Sequence, residues 1–321
     1  MDAVIPPSQS PVPAISVIVP AYGVSDLVGE ALASLQAQTR TDWEAIVVDD
    51  GDPAVASAIA AFRADHRIHL LQTDNAGPSG ARNRAAGSAR ARVLSFLDGD
   101  DLYEPGYLAT MLDAIGRDPA LGFVTCDARY FGHTDRIGRT FSSFHPQEAP
   151  IVLGKVLSRR FNVFIGSTLR REAFEAVAGF DSALVHAEDF DLWIRLLAAG
   201  WTAGIVSEPL VRYRRRAGSL STDGEKMRNG AQRVFEKARE ALAGQPEQAI
   251  AAAMLEELDA DRDFDRGEAL ILAGQALAGL ALMRGPRSRS PRWRLALPLL
   301  RMFPLLARPM LLLRPNLPIP R

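Results

Sequence analysis

Cysteine is nearly missing from this chain: Cys126 is the single one in 321 residues. That excludes an internal disulfide framework and a cysteine-ligated zinc site, and it fits a reducing compartment. No stretch supplies the ~18 uninterrupted apolar residues of a membrane-spanning helix. The start, Met1-Asp2-Ala3-Val4-Ile5-Pro6-Pro7, has no basic region and no long apolar run, so no signal peptide is read and a cytoplasmic location is expected. The five histidines, His66, His69, His133, His145 and His186, show no metal-ligand spacing, and surface or loop positions are expected for them. Carboxylates are missing from one region only. From Arg284 to Arg321 there are nine arginines and no acidic residue, which leaves a formal -10 on the rest of a chain whose net charge is -1.

What is present is an ordinary globular composition, 47% hydrophobic and 23% charged, which excludes a disordered or fibrous protein. Residues 1–14 are rich in proline and serine and read as a loose arm. Strands are expected at 15–20, 43–48, 68–72 and 92–97, with helices at 26–38, 53–64 and 79–89 between them. This alternation predicts an α/β fold with a mostly parallel central sheet and helices on both faces. Ligands then bind at the carboxyl ends of the strands. Beyond residue 120 a helix is expected at 187–199, with strands at 202–206 and 210–214. The expected organisation is a catalytic domain over 15–222, a helical appendage over 223–285 and a basic, leucine-rich tail over 286–321.

Acidic residues gather at the predicted strand ends, in Asp49-Asp50-Gly51-Asp52 and in Asp98-Gly99-Asp100-Asp101. Crowded carboxylates repel one another unless a cation or hydrogen-bond donors compensate. Asp98 and Asp100, two apart in extended backbone, point the same way, and Gly99 between them lets a ligand approach the chain. Such hard oxygen ligands suit Mg2+ or Mn2+ bridging to phosphate; the alternative is a solvated turn. A calcium loop is excluded, since its fifth position would be Leu102 and its closing position Ala109. Between the clusters, Asp74-Asn75-Ala76-Gly77-Pro78-Ser79-Gly80-Ala81-Arg82-Asn83 opens a helix, either as an anion site to which Arg82 adds charge or simply with Ser79 as cap. Glu188 and Asp189 begin another helix, where carboxylates also serve a structural role. Asp191 and Arg195, four apart, read as a surface pair.

Together and in this order the segments resemble the family-2 glycosyltransferases, which have the GT-A (Rossmann-like) fold. The resemblance runs from Ser16-Val17-Ile18-Val19-Pro20-Ala21-Tyr22 through Asp49-Asp50-Gly51, Gly80-Ala81-Arg82-Asn83, Asp98-Gly99-Asp100-Asp101 and Glu188-Asp189 to about Thr222. It implies that Asp50 contacts the nucleotide base, with Pro20, Ala21 and Tyr22 lining that pocket. It places Arg82 near the nucleotide, Asp98 at the ribose, Asp100 on Mg2+ or Mn2+ in an Asp-x-Asp motif, and Asp189 as general base. The implied chemistry is inverting transfer of one sugar from a nucleotide-diphosphate donor, a UDP-sugar by family habit, to a glycan or lipid-linked acceptor. Cell-surface polysaccharide or glycolipid assembly is the usual setting.

Two departures stand out. Asp52-Pro53-Ala54 replaces the usual residues after Asp-Asp-Gly, and Tyr213-Arg214-Arg215-Arg216 offers no histidine near the final strand. Either Arg216 binds diphosphate directly or the metal has one protein ligand. The processive signature Gln-x-x-Arg-Trp is missing, so a single transfer is expected. His186 precedes the Glu188-Asp189 pair and is a candidate to see the acceptor. The competing readings are a nucleotidyltransferase and a non-catalytic nucleotide-sugar binding protein. In the tail, Arg287, Arg294, Arg301 and Arg308 recur every seven residues among leucines. This predicts a peripheral segment on an anionic membrane at the inner face of the cell membrane, in short helical pieces broken by Pro298, Pro304 and Pro309. The alternatives are packing on the appendage or a dimer contact; nucleic acid is not expected.

Overall fold

A computed structural model describes residues 11–216, 218–219 and 222–312. Residues 1–10 of the expected arm lie outside the described residues; Pro13 is buried, and the Ala14 amide donates to the Asp42 carbonyl at 2.8 Å. The chain divides into two compact units, Met1–Val234 and Phe235–Arg321.

The first unit opens with the expected alternation. Strand β1 (Ile15–Pro20) leads to α1 (Val28–Gln36), β2 (Trp43–Asp49), α2 (Ala54–Ala58), β3 (Ile68–Gln72), α3 (Gly77–Ser88) and β4 (Val93–Phe96). The helix expected over 53–64 is shorter, because the chain tightens into a 3-10 turn at Ala60–Ala64. Strands β1, β2, β3 and β4 pair in parallel, in the order β3-β2-β1-β4. In β1 the alternate residues Ile15, Val17 and Val19 share a core with Leu32 and Leu35 of α1, while Ile18 points the other way and is equally buried. A strand covered on both faces favours apolar residues on both, and its buried polar exception, Ser16, is satisfied by Glu44 Oε1 of β2 at 2.6 Å.

The second half of the sheet is mixed. It contains β5 (Leu102–Tyr103), α4 (Tyr107–Gly116), β6 (Leu121–Gly132), α5 (Leu153–Leu157), β7 (Thr168–Arg170), α6 (Arg171–Ala176), α7 (Glu188–Ala198) and β8 (Thr202–Arg215). Strand β7 runs antiparallel between β4 and β6, β8 is parallel to β6, and β5 is antiparallel to β8. The two short strands expected at 202–206 and 210–214 are one strand with a bulge where β6 passes Asp127. Pro209 sits at that irregularity, where a missing amide costs no ladder bond.

A buried polar knot fixes the floor beneath the β4–β5 loop. Tyr103 and Tyr107 stack with ring centroids 3.6 Å apart, and Ser95 Oγ lies 2.8 and 3.0 Å from their hydroxyls. Tyr103 donates to the Phe96 carbonyl and Tyr107 to the Gly166 carbonyl, so each buried hydroxyl is satisfied. Burial pushes both phenols upward, and they stay neutral donors.

Helix α8 (Gly224–Ala241) crosses the division between the units, and the second unit continues with α9 (Glu247–Leu272), α10 (Ala276–Leu282), α11 (Pro291–Met302) and α12 (Ala307–Leu312). Helix α11 runs through Pro298, contrary to the expected break; the interruption comes at Phe303, where a 3-10 turn over Pro304–Leu306 begins.

Candidate active site

The loops at the carboxyl ends of β1, β2 and β4 hold the first set of candidate residues. After β1, Ala21 is fully buried and its amide donates to the Val48 carbonyl at 2.9 Å, while Tyr22 is exposed. After β2, Asp50 is buried and its Oδ1 accepts from Thr73 Oγ1 and from the Ala76 amide, both at 2.9 Å. That carboxylate therefore holds the loop that leads into α3. Asp52, where the family pattern departs, accepts from the Gly23 amide at 3.2 Å and ties the loops after β1 and β2 together. Pro20 stands at the end of β1, beside these groups.

The Asp98–Asp101 loop corrects one expectation. Gly99 is demanded by the protein itself rather than by an approaching ligand. A Cβ there would meet the Pro20 carbonyl oxygen at 2.8 Å and Val24 Cγ2 at 2.9 Å, and the Gly99 amide donates to that same carbonyl. Gly99→Ala should lower the unfolding free energy by about 1–3 kcal/mol, the usual cost of overpacking. Denaturant titration checks this, and an unchanged midpoint would show that the two loops part easily.

Strand β8 clamps the rest of the loop. The Arg214 amide donates to Asp101 Oδ1 at 2.8 Å, and Arg214 Nε donates to the Asp100 carbonyl at 2.7 Å. Arg216 Nε donates to Asp100 Oδ2 at 2.8 Å. Burial, with Asp98 adding repulsion, holds Asp100 above the ordinary carboxylate range even with Arg216 beside it. Asp101 is pushed well above that range, first by burial and then by Asp100 and Asp98, so it serves the loop and not the solvent. In the Arg214-Arg215-Arg216 run the sequence pointed to Arg216 as a diphosphate ligand but gave no sign of Arg214. The antiparallel β5–β8 pairing, Leu102 opposite Arg212, brings it to the aspartates.

Arg82 joins this loop to α7. Its Nη2 donates to Asp98 Oδ1 at 2.7 Å and its Nη1 to Glu188 Oε1 at 2.6 Å. Burial opposes its charge, but Asp98 and Glu188 more than offset this and raise its affinity for the proton. The neighbouring residues of α3 reach the same segment. Asn83 exchanges two hydrogen bonds with the Phe180 backbone, and Ser79 donates to the Leu184 carbonyl. Ser79 is therefore a tether, not the helix cap: α3 begins two residues earlier, at Gly77. Arg82→Met should cost about 2–3 kcal/mol of stability, because two carboxylates lose their counter-ion while Asp98 and, to a smaller extent, Glu188 keep contact with water. Thermal melts measure it, and a loss near zero would mean that water replaces the guanidinium.

Ala187 adopts a left-handed conformation, φ 61°, immediately before α7, and nothing in an alanine announced it. That turn sets Glu188 and Asp189 side by side in the first helical turn. Glu188 is taken by Arg82. Asp189 has no direct ion pair among the described residues, and its Oδ1 accepts from the Phe190 amide at 2.8 Å. Burial, then the adjacent Glu188 charge, pushes Asp189 up to about 7.

Other expectations need correcting. Asp191 and Arg195 are not a surface pair: Asp191 is buried, Arg195 Nε donates to its Oδ2 at 2.6 Å, and Arg195 also reaches the Val177 carbonyl. His69 lies on β3, half-buried, 3.9 Å from Glu44. His145 lies in a loop, as expected, where it stacks on Phe141 and is pushed down to about 4 by burial and then by nearby arginines. His186 lines a cavity of 190 Å3 together with Leu184, Val185 and the α8 residues Lys226, Asn229, Gly230 and Arg233.

These loops and this order of elements can be set beside known proteins. The family model described as "Glycosyl transferase family 2" matches residues 16–178, half of the chain. The chain belongs to glycosyl transferase family 2. It is 32% identical over 232 residues to the succinoglycan biosynthesis protein ExoO of Rhizobium meliloti, an alignment that covers 67% of this chain and 65% of that protein. The chain spans just under two thirds of the length of the first curated relatives it matches. Among solved structures, residues 1-349 of S. aureus TarS in complex with UDP-GlcNAc superpose with a TM-score of 0.63 at 18% identity, covering 92% of this chain and 90% of that one. Mannosyltransferase PcManGT from Pyrobaculum calidifontis, in complex with GDP-Man and Mn2+, gives 0.63 at 19% identity, over 94% and 87%. These likenesses establish the GT-A fold. No helix among the described residues is long and apolar enough to cross a membrane.

Proposed function

We propose that this chain is an inverting glycosyltransferase that moves one sugar from a nucleotide-diphosphate donor, a UDP-sugar in the first instance, to an acceptor hydroxyl in cell-surface polysaccharide or glycolipid assembly. One observation carries the reading: Glu188 is committed to Arg82, while Asp189 beside it makes no direct ion pair among the described residues and is pushed up to about 7. A carboxylate in that state is poised as a general base at physiological pH. The solved neighbours are complexes with UDP-GlcNAc or GDP-Man, and the relative ExoO bears the name of a succinoglycan biosynthesis protein, which supports the donor class and the setting.

The proposed roles are these. Pro20, Ala21, Tyr22 and Asp50 line the nucleotide end, with Asp50 also holding the 73–76 loop. Arg82 keeps Asp98 oriented toward the ribose by fixing one of its oxygens. Asp189 takes the acceptor proton on its carboxylate as the acceptor oxygen attacks the anomeric carbon. His186, which lines the cavity with α8 residues, would contact the acceptor.

The donor set suits a divalent ion. Asp100 offers a hard carboxylate oxygen crowded by Asp98 and met by Arg216 alone among the described side chains, and Mg2+ sites of this kind use one or two carboxylates with substrate phosphates. Among the described residues no cluster of three or more His, Cys, Asp or Glu forms a site of its own. Asp100 would therefore hold Mg2+ or Mn2+ with the donor phosphates completing the shell, and the ion when bound would neutralise the departing diphosphate. Arg216, released from Asp100, would contact the same diphosphate. This combines the two options left open by the sequence.

The test is a panel of nucleotide sugars with and without Mn2+. Release of nucleoside diphosphate that requires the metal supports the reading. With pyrophosphate added, release of nucleoside triphosphate and sugar phosphate would mark a nucleotidyltransferase, and binding without turnover a non-catalytic binding protein. The basic segment 286–321 is proposed to hold this enzyme peripherally at an anionic membrane, on the cytoplasmic side.

A further inference from the structure

Six large apolar side chains stand in solvent between Leu295 and Leu306, among them Leu295 at 72% exposure, Leu299 at 60%, Met302 at 69% and Leu305 at 90%. Their placement is ordered. In α11, Trp293, Leu297 and Leu300 follow i, i+4, i+7 spacing and are buried in a core with Phe264, Ile271 and Met283. Leu295, Leu299 and Met302 follow the same spacing. At about 100° per residue they fall on the opposite side of the helix. Arg294 and Arg301 then lie along one edge of this exposed stripe and Arg292 along the other, all three exposed. The seven-residue arginine repeat is not itself the organising feature. It crosses three elements, and Arg287 is engaged with Asp265. The tail thus has two apolar faces: one completes the core of the second unit and one remains outside.

Charge selects the occupant of the outer face. Between Pro286 and Leu312 there are six arginines and no carboxylate. A second copy seated on the same face by two-fold symmetry would set arginines against arginines. An anionic headgroup layer meets them with the opposite charge, while the stripe between enters the apolar boundary. We infer that Leu295, Leu299 and Met302, continued by Phe303, Leu305 and Leu306, form an in-plane docking face for a bilayer containing anionic lipid, with Arg292, Arg294 and Arg301 at the headgroups. This rests on the peripheral reading of 286–321 and assigns the residues that perform it.

The test uses the full chain and two variants, Leu295→Gln/Leu299→Gln/Met302→Gln and Arg292→Gln/Arg294→Gln. Sedimentation is measured with phosphatidylcholine vesicles with and without phosphatidylglycerol, at low and high salt. The parent chain should pellet only with phosphatidylglycerol present. The apolar variant should lose about tenfold or more in partitioning. The arginine variant should bind more weakly and with less salt dependence. All changed residues are exposed, so circular dichroism and release of nucleoside diphosphate from a soluble donor should match the parent; a failed transfer reading would register there and not in the pellet. An apolar variant that binds as well as the parent would overturn the face assignment. A parent chain that never binds would overturn the peripheral reading with it. Self-association of the parent that the apolar variant abolishes, without vesicle binding, would give the face to a second copy.

Discussion

Asp189→Asn should lower turnover by about 10²–10⁴-fold, the usual contribution of a general base, while donor affinity stays within about threefold. The carboxylate acts on the acceptor only as the new bond forms, so the donor does not feel its loss. Steady-state kinetics with a separate donor titration measures both numbers, and affinity lost in step with rate would make Asp189 a donor ligand instead. The same substitution has a signature in stability. Asp189 is raised from 3.8 to about 7 in the folded chain, so the native state binds its proton more tightly than the unfolded one. Native stability therefore falls as pH climbs from the ordinary carboxylate range through about 7. Asparagine removes that dependence. The variant should match the parent in acid and exceed it by at least about 1 kcal/mol above pH 8, a fraction of the full shift. Turnover of the parent runs the other way and should rise as pH passes through about 7, because only the ionised base is competent.

Asp100→Ala should abolish turnover with Mg2+ or Mn2+, a loss of at least about 10²-fold, and leave the fold intact. Asp100 is crowded by burial and by Asp98, so its removal relieves repulsion as well as deleting the contact with Arg216. Melting temperature and metal-dependent turnover, read on the same preparation, separate the two effects. Near-normal turnover at saturating Mn2+ would remove Asp100 from the site.

Much of the first half was legible in the chain. Strands β1, β2 and β3 begin where expected; in β1 and β2, covered on both faces, the apolar runs are long enough to read, while the edge strand β3 showed only as the short Ile68–Gln72 segment between helices. The aspartates at Asp49–Asp52 and Asp98–Asp101 announced the strand ends for a similar reason: clustered carboxylates need compensation wherever they lie. What supplied the compensation was not legible. Arg82 reaches Glu188 across 106 residues, and Arg216 reaches Asp100 across 116, so only the topology brings them together. Gly99 carried the right signal with the wrong cause, since sequence cannot say whether a glycine yields space to a ligand or to a neighbouring loop. The Asp191–Arg195 spacing showed contact but not depth, and burial turned a presumed surface pair into part of the interior. In the tail, composition revealed leucine and arginine without showing that every second leucine of α11 faces inward, as Leu297 does, and the next outward, as Leu299 does.

A single displacement with Asp189 as base, beside the carboxylates that Arg82 holds, fixes the stereochemistry of the product. The most direct measurement is the anomeric configuration of the product, read by NMR from a donor of defined anomer. Inversion, with nucleoside diphosphate as the other product, is the predicted result. A product that retains the donor's configuration would require a second displacement or a front-face departure, and it would contradict the role given to Asp189.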